Sequence, residues 1–268
     1  MTLSEMLLRG LFDPASALAV IWRRVPLGSI ELRSKFDAVA RPPYAYGIVK
    51  GAKLAKALKI GKISVIEFGV AGGKGLLQME KTAAEVSQWL DMEIEVYGFD
   101  RAEGLPMPRD YRDLPHHWTH HSRSRSFKMD PNLLRAKLKS AQLVLGEVEE
   151  TATTFYEKYR PAPIAFVAFD LDLYSSTVAA LKIFETQQSN ILPRVIGYFD
   201  DIVSDDDQLY NEFTGPLLGI REFNDQHPSM KLCKINGLHS ARYRKSSWSE
   251  GVYVMHSFAH PLYNCDLR

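Results

Sequence analysis

The sequence predicts an α/β protein built on a doubly wound, mostly parallel seven-stranded sheet, with an antiparallel edge strand and an N-terminal helical extension. Three observations lead to this fold class. Short, nearly continuous apolar segments alternate along the chain with amphipathic helical segments. Nearly every apolar segment of the central region ends in an acidic residue. The last two apolar segments follow one another with no clear helix between them.

Five segments of the central region have the near-continuous apolarity of strands that are covered on both faces, as in a parallel sheet. They are KISVIEFG (62–69), EIEVYGFD (93–100), AQLVLGE (141–147), PIAFVAFD (163–170) and RVIGYFDD (194–201). Amphipathic segments such as 76–90 and 177–188 lie between them. Strand–helix alternation of this kind predicts a doubly wound sheet.

The two ends of the chain differ from this pattern. MKLCKIN (230–236) and GVYVMHSF (251–258) are joined by a 14-residue loop, which predicts an antiparallel pair at the sheet edge. Residues 1–60 are mostly helical in pattern, and we expect them to form an extension or lid over a main domain of residues 61–268. Their apolar helices are also candidates for the interface of a homo-oligomer.

Composition excludes several classes of protein. The 268 residues carry a formal net charge of +1, so no basic surface favours a nucleic-acid partner. Two cysteines make a disulfide framework improbable, no apolar stretch is long enough to span a membrane, and the N-terminus lacks a signal-peptide pattern. We therefore expect a cytoplasmic protein.

The segment IEFGVAGGKGLLQ (66–78) reads as a strand, a glycine-rich turn and the start of a helix. Gly69 and Gly73 allow the backbone to approach a ligand, and a helix N-terminus favours an anion. The segment lacks G-x-G-x-x-G and fits E/D-x-G-x-x-x-G, which is typical of a turn that holds the aminoacyl end of S-adenosylmethionine. Tight-turn packing is the alternative.

Asp100 ends the next strand, where a carboxylate is well placed to accept hydrogen bonds from both hydroxyls of a ribose. An aspartate that starts a turn is the alternative. Because a nicotinamide cofactor uses the same arrangement, this position indicates a nucleoside without deciding the chemistry.

Asp170 and the Asp200–Asp201 pair follow two successive strands, so their carboxylates should meet at one edge of the sheet. Without a cation such groups repel and raise one another's pKa. Hard oxygen ligands of this number suit Mg²⁺. The sequence interpretation assigns Asp172 to the turn and to the cap of the following helix, and Asp205–Asp207 to a solvent-exposed cap.

Histidines offer further candidates. The basic, histidine-rich stretch HHWTHHSRSRSFK (116–128) is interpreted as a solvated loop, although a general base among its histidines stays open. His239 and Tyr243 precede the last strand, where nothing in the sequence fixes their direction.

Taken in order, these motifs resemble the macrocin O-methyltransferase family of class I S-adenosylmethionine-dependent methyltransferases, which methylate sugar hydroxyls on macrolides. The similar stretches are IEFGV (66–70), FDRAEGLP (99–106), DLDLYSST (170–177), FDD (199–201) and SWSEGVYVM (247–255). The resemblance covers roughly residues 60–258. It implies a Rossmann-like sheet and Mg²⁺-assisted methyl transfer from S-adenosylmethionine to a hydroxyl of a small molecule, sugar or glycan.

The resemblance also implies roles for individual residues. Asp170 is the catalytic candidate, and Asp170, Asp200 and Asp201 are the candidate metal ligands. The candidate cofactor-binding residues are Glu67, Gly69, Val70, Ala71, Gly73, Asp100, Arg101, Gly146, Glu147 and Asp170.

The chain departs from the family pattern at three places. Lys74 stands where a second glycine is usual, Arg101-Ala102 replaces Ser-Phe, and the turn before Asp200 lacks Pro-Gly-Gly. Two other functions stay open: a non-catalytic nucleoside-binding module and a nicotinamide oxidoreductase. The oxidoreductase lacks support, because neither its glycine fingerprint nor a suitably placed Tyr-x-x-x-Lys is present.

Overall fold

The computed structural model describes residues 14–118, 127–203 and 209–267. Its strands are β1 (Lys62–Phe68), β2 (Glu93–Asp100), β3 (Gln142–Leu145), β4 (Ile164–Phe169), β5 (Ile191–Phe199), β6 (Met230–Lys234) and β7 (Val252–Ser257). Its α-helices are α1 (Pro14–Arg24), α2 (Ile30–Lys35), α3 (Pro42–Ala57), α4 (Lys74–Leu90), α5 (Pro115–Trp118), α6 (Pro131–Arg135), α7 (Val148–Tyr159), α8 (Tyr174–Leu181), α9 (Gly215–Gln226) and α10 (Leu238–Ala241). No helix in these ranges is both long and apolar enough to cross a membrane.

The seven strands form one sheet in the order β3-β2-β1-β4-β5-β7-β6. The first five are parallel, and β7 runs antiparallel to both β5 and β6. The predicted fold class is confirmed, including the antiparallel pair. In the structure β7 lies inside the sheet, between β5 and β6, so β6 forms the edge.

Several predicted boundaries move. β5 begins at Ile191, three residues before the expected start, and Asp200 and Asp201 belong to the 3₁₀ turn that follows it. The helix expected over 177–188 begins earlier, at Tyr174, and changes to a 3₁₀ turn at Lys182. The loop over 237–250 contains the single turn α10, which the sequence reading did not include.

Four phenylalanines align the ends of the central parallel strands. Phe68 is in register with Phe99 and Phe169, and Phe169 is in register with Phe199. Their rings lie 4.5–5.6 Å apart from neighbour to neighbour, a spacing typical of favourable aromatic pairs. The residue after each phenylalanine is therefore delivered to one edge of the sheet, which places Gly69, Asp100, Asp170 and Asp200 side by side.

The N-terminal helices pack against this sheet. Tyr44 and Ile48 of α3 belong to the main hydrophobic core, and the Tyr44 ring meets Phe166 of β4 edge-on at 5.9 Å. A β-carbon on Gly47 would overlap the Phe166 ring, so this glycine allows α3 to approach the strand closely. The division into residues 1–60 and 61–268 stays a prediction.

A buried aspartate ties the N-terminal region to the segment before β7. Asp37, only 1% exposed, accepts hydrogen bonds from Arg242 (2.6 Å) and Ser246 (2.6 Å) and a longer one from Trp248 (3.3 Å). The Arg242 guanidinium also lies over the Trp248 ring, 4.3 Å from its centroid. Because every partner of this carboxylate is distant in sequence, we call it the Asp37 clasp.

Candidate active site

The glycine-rich turn between β1 and α4 is held in place by Asp100. One carboxylate oxygen of Asp100 accepts hydrogen bonds from the backbone N–H groups of Val70 (2.9 Å) and Ala71 (2.8 Å). The other accepts from the N–H of Ala102 (2.5 Å). Asp100 therefore fixes the relative position of the loops after β1 and β2, in addition to the ribose-binding role predicted for it.

Two positions of the turn require glycine. Gly69 has a φ of +85°, and a β-carbon there would lie 1.7 Å from the carbonyl oxygen of Asp170. Gly75, in the first turn of α4, leaves room for Glu67, whose Oε1 would lie 1.8 Å from an added β-carbon. Without a side chain, Gly69 lets the turn after β1 approach the backbone after β4, and Gly75 lets α4 approach Glu67 of β1.

Glu67 is a buried carboxyl group beneath this turn. It is 1% exposed, and its Oε1 accepts a hydrogen bond of 2.5 Å from the Tyr44 hydroxyl. Oε2 is also buried and has no hydrogen-bond partner among the described residues. Burial, reinforced by the nearby charges of Asp170 and Asp100, raises the pKa of Glu67 to about 8.

Two cavities meet at the edge of the sheet. The main cleft is lined on one side by Gly69, Asp100, Arg101, Gly146 and Glu147 and on the other by Asp170–Asp172, Ser175 and Ser176. About 710 Å³ of space in and above this cleft is not filled by protein, open solvent included. The second cavity, called the Arg41 cavity, is lined by Arg41, Glu67, Gly69–Gly72, Lys74, Gly75, Phe127 and Asp170.

Every cofactor-binding candidate except one lines the main cleft or the Arg41 cavity. Gly73 lines neither of them. A β-carbon on it would overlap the side chain of Leu134, so this glycine serves packing against α6. Arg101 and Glu147 form a salt bridge of 3.0 Å across the main cleft wall, which connects the loops after β2 and β3.

The three metal-ligand candidates converge. A carboxylate oxygen from each of Asp170, Asp200 and Asp201 lies within 4.8 Å of the others. Burial and the charges of Asp201 and Asp200 raise the pKa of Asp170, and burial and the charges of Asp172 and Asp200 raise that of Asp201. A divalent cation relieves this repulsion, and an all-oxygen ligand set suits Mg²⁺, so these residues fit the ion.

Neighbouring groups orient two of these acids. The Tyr198 hydroxyl donates a hydrogen bond of 2.6 Å to Asp200, and the backbone N–H of Asp172 donates one of 2.9 Å to Asp201. Asp172 adopts a left-handed backbone conformation, with a φ of +61°, so it does shape the turn as predicted.

The helix cap predicted for Asp172 is wrong. The N-cap position of α8 is Leu173, and Asp113, from the loop between β2 and β3, caps the helix instead. Its carboxylate accepts hydrogen bonds from the backbone N–H (2.8 Å) and the hydroxyl (3.0 Å) of Ser175. Asp113 is 62 residues away from Ser175 in sequence, so local motif reasoning had no way to pair them.

The sequence interpretation also missed Arg41 and Tyr44. Arg41 occupies the N-cap position of α3 and lies over the Tyr44 ring, 5.0 Å from its centroid. Burial on its own would lower the pKa of Arg41, but the neighbouring acidic groups, among them Glu67, Asp170 and Asp200, outweigh it and leave the pKa raised. The only local signal is the pair of prolines after Arg41, which marks a helix start and says nothing about a site.

Other candidates lie away from the cavities or outside the described residues. His239 pairs with Ser249 (3.1 Å), and Tyr243 stacks on Phe36, 4.8 Å between ring centroids. His117 packs edge-on against Trp118. His120, His121 and Asp205–Asp207 lie outside the described residues.

The sheet order, the antiparallel β7 and the glycine turn followed by an acid at the end of β2 define the Rossmann-like methyltransferase fold. Comparison with solved structures gives the same result. The chain is similar to the O-methyltransferase NovP, with a TM-score of 0.55 and 15% identity over 81% of this chain and 80% of NovP. It is also similar to the calicheamicin methyltransferase CalS11, with a TM-score of 0.51 and 20% identity over 91% of each chain.

At these identities the comparisons establish the fold, and the methyltransferase resemblance inferred from the motifs is confirmed at that level. No protein-family model and no curated protein sequence matches the chain.

Proposed function

We propose that this protein is an S-adenosylmethionine-dependent, Mg²⁺-assisted O-methyltransferase that acts on a hydroxyl of a small molecule, sugar or glycan. One observation carries the proposal: the glycine turn braced by Asp100 and the three clustered acids open onto the same edge of the sheet, with Asp170 between them. In a methyl transfer the methyl donor and the activated hydroxyl have to lie next to each other, as two sites at one sheet edge allow. The fold shared with NovP and CalS11 supports the assignment.

When bound, S-adenosylmethionine supplies the methyl group, and Mg²⁺ lowers the pKa of the acceptor hydroxyl. Asp170, Asp200 and Asp201 would hold the ion. In the main cleft Asp100 would accept hydrogen bonds from the ribose hydroxyls, and the Arg101–Glu147 bridge would form the adjoining wall. The backbone of Gly69–Ala71, which lines the Arg41 cavity, would help to hold the cofactor.

Asp170 is the proposed catalytic residue because it lines both cavities. Its backbone N–H donates to the Phe68 carbonyl oxygen (2.9 Å), which fixes its position against the glycine turn. One of its carboxylate oxygens would take the proton that leaves the acceptor hydroxyl. Orientation of the acceptor hydroxyl oxygen toward the methyl carbon would supply much of the remaining rate enhancement.

Calorimetry with S-adenosylmethionine, followed by a radiolabelled methyl-transfer assay on a panel of sugars and glycosides, tests the proposal. Both are run with Mg²⁺ and again with a chelator. We expect cofactor binding and metal-dependent transfer, with Asp170→Asn and Asp200→Asn reducing transfer by at least about 100-fold. Asp225→Asn, an exposed change on α9, serves as the control.

The outcomes separate the candidate functions. Cofactor binding without transfer to any acceptor would favour a nucleoside-binding module, and binding of NAD in place of S-adenosylmethionine would favour an oxidoreductase. Transfer that survives chelation would contradict the metal assignment. A cytoplasmic location and a homo-oligomer stay predictions from the sequence.

A further inference from the structure

Two cations, Arg41 and Lys74, line the Arg41 cavity. Among the described residues, the half-buried Arg41 guanidinium contacts the Tyr44 hydroxyl at 3.4 Å and forms no salt bridge. Lys74, at the first position of α4, is exposed and likewise forms none in the described ranges. Lys74 is also the residue that departs from the family pattern. Both positive groups thus line the same cavity.

The same cavity also contains a hydrogen-bond acceptor, Glu67 Oε2, and hydrogen-bond donors, the first backbone N–H groups of α4. Glu67 Oε2 is buried and has no hydrogen-bond partner among the described residues. The first backbone N–H groups of a helix lack intrahelical acceptors. In the 17-residue helix α4 the N-cap residue is Gly73, which has no side chain to cap them. The cavity therefore presents an acceptor for a cationic donor deep inside and donors for an anion near its mouth.

A zwitterionic amino-acid group is the ligand that satisfies both. Its ammonium group would donate to Glu67 Oε2, and its carboxylate would lie at the N-terminus of α4 between Arg41 and Lys74. A phosphate would use the cations but would offer no cationic donor to Glu67 Oε2. The group that best fits the Arg41 cavity is therefore the amino-acid part of a ligand, with its ammonium and carboxylate groups.

We infer that Arg41 and Lys74 bind the α-carboxylate of the amino-acid end of the cofactor, and that the N-terminal region thereby completes the cofactor site. This inference rests on the proposed function. It gives Arg41 a binding role that no motif in the sequence indicated.

Two ligands that differ only at this end provide the test. S-adenosylhomocysteine carries the amino-acid group, whereas 5′-methylthioadenosine lacks it. Calorimetry should show that Arg41→Gln weakens S-adenosylhomocysteine binding by about 10- to 100-fold, the usual effect of losing a hydrogen bond between charged groups. Lys74→Gln should weaken it by about 3- to 10-fold because this side chain is more exposed. Affinity for 5′-methylthioadenosine should change by less than about twofold for both variants.

Matched substitutions control for charge and folding. Arg221→Gln on α9 and Lys81→Gln on the exposed side of α4 remove the same charges away from the cavity. Thermal denaturation without ligand verifies that Arg41→Gln folds. Unchanged S-adenosylhomocysteine binding by both site variants would overturn the inference, as would equal weakening of both ligands. If the wild type binds neither ligand, the proposed function itself fails.

Discussion

Replacing Glu67 with glutamine should change how the stability of the protein depends on pH. Burial raises the pKa of Glu67 to about 8 from an ordinary 4.5, so the folded protein binds this proton more tightly than the unfolded chain does. The stability contributed by the bound proton is fully present below pH 4.5. It is lost as the pH rises toward 8 and changes no further above that.

The magnitude follows from the pKa values. Each pKa unit corresponds to 1.36 kcal/mol, so between pH 5 and pH 8 the wild type should lose about 4 kcal/mol of stability through this one group. Glutamine has the same shape and can still accept the Tyr44 hydrogen bond, but it does not titrate. Its stability should not vary with pH from this source.

Urea unfolding of both proteins, followed by tryptophan fluorescence at pH 5, 6, 7 and 8 without ligands, measures the difference. The free energy of unfolding of Glu67→Gln relative to wild type should rise by about 4 kcal/mol across the series. Comparing the two proteins cancels the titration of the histidines. Glu157→Gln, an exposed change on α7, should show no such trend. Parallel pH profiles for wild type and Glu67→Gln would mean that Glu67 is ionised in the folded protein, which would refute the reasoning.

Three further predictions concern the same edge of the sheet. Mg²⁺ should raise Tm more at pH 8 than at pH 5, because the raised pKa values of Asp170 and Asp201 make protons compete with the ion; equal increments in a thermal-shift titration would contradict this. Gly69→Ala should cost at least about 2 kcal/mol in urea unfolding, given its left-handed backbone and the overlap with the Asp170 carbonyl, whereas Gly61→Ala, in open space, should cost far less. Asp113→Ala should cost about 1–2 kcal/mol by uncapping α8, and a loss no larger than that of Asp113→Asn would argue against the cap.

The strands and their acidic ends were predictable because the information is local. A buried parallel strand reads as a short apolar run, and the phenylalanine before each polar end marks where it stops. Once five such runs are placed in one parallel sheet, the sheet itself brings Asp100, Asp170 and Asp200 to one edge. Only the connectivity of β7, inserted between β5 and β6, needed the structure.

The missing parts of the site were not predictable for the opposite reason. Tyr44 reaches Glu67 across 23 residues, and Asp113 reaches Ser175 across 62. Neither pair has a spacing that a local pattern can express. The cap shows the limit most clearly: Asp172 has the right residue type for a cap, yet it lies one residue before the N-cap position Leu173, its backbone is left-handed and its N–H is directed to Asp201.

The Asp37 clasp has a consequence for the order in which the chain folds during synthesis. Arg242 is 205 residues beyond Asp37, so the buried carboxylate of the N-terminal region cannot pair with this guanidinium until the chain has been made past residue 242. Contacts of such long range form late, after loop closure has been offset by other structure. Pulse-labelling hydrogen exchange on refolding protein should therefore protect α4 and β1 before α2, and earlier protection of α2 would contradict this order. Until Arg242, Ser246 and Trp248 have been made, the Asp37 carboxylate lacks the side-chain partners described for it, and the segment that leads into α3 and Arg41 lacks this anchor.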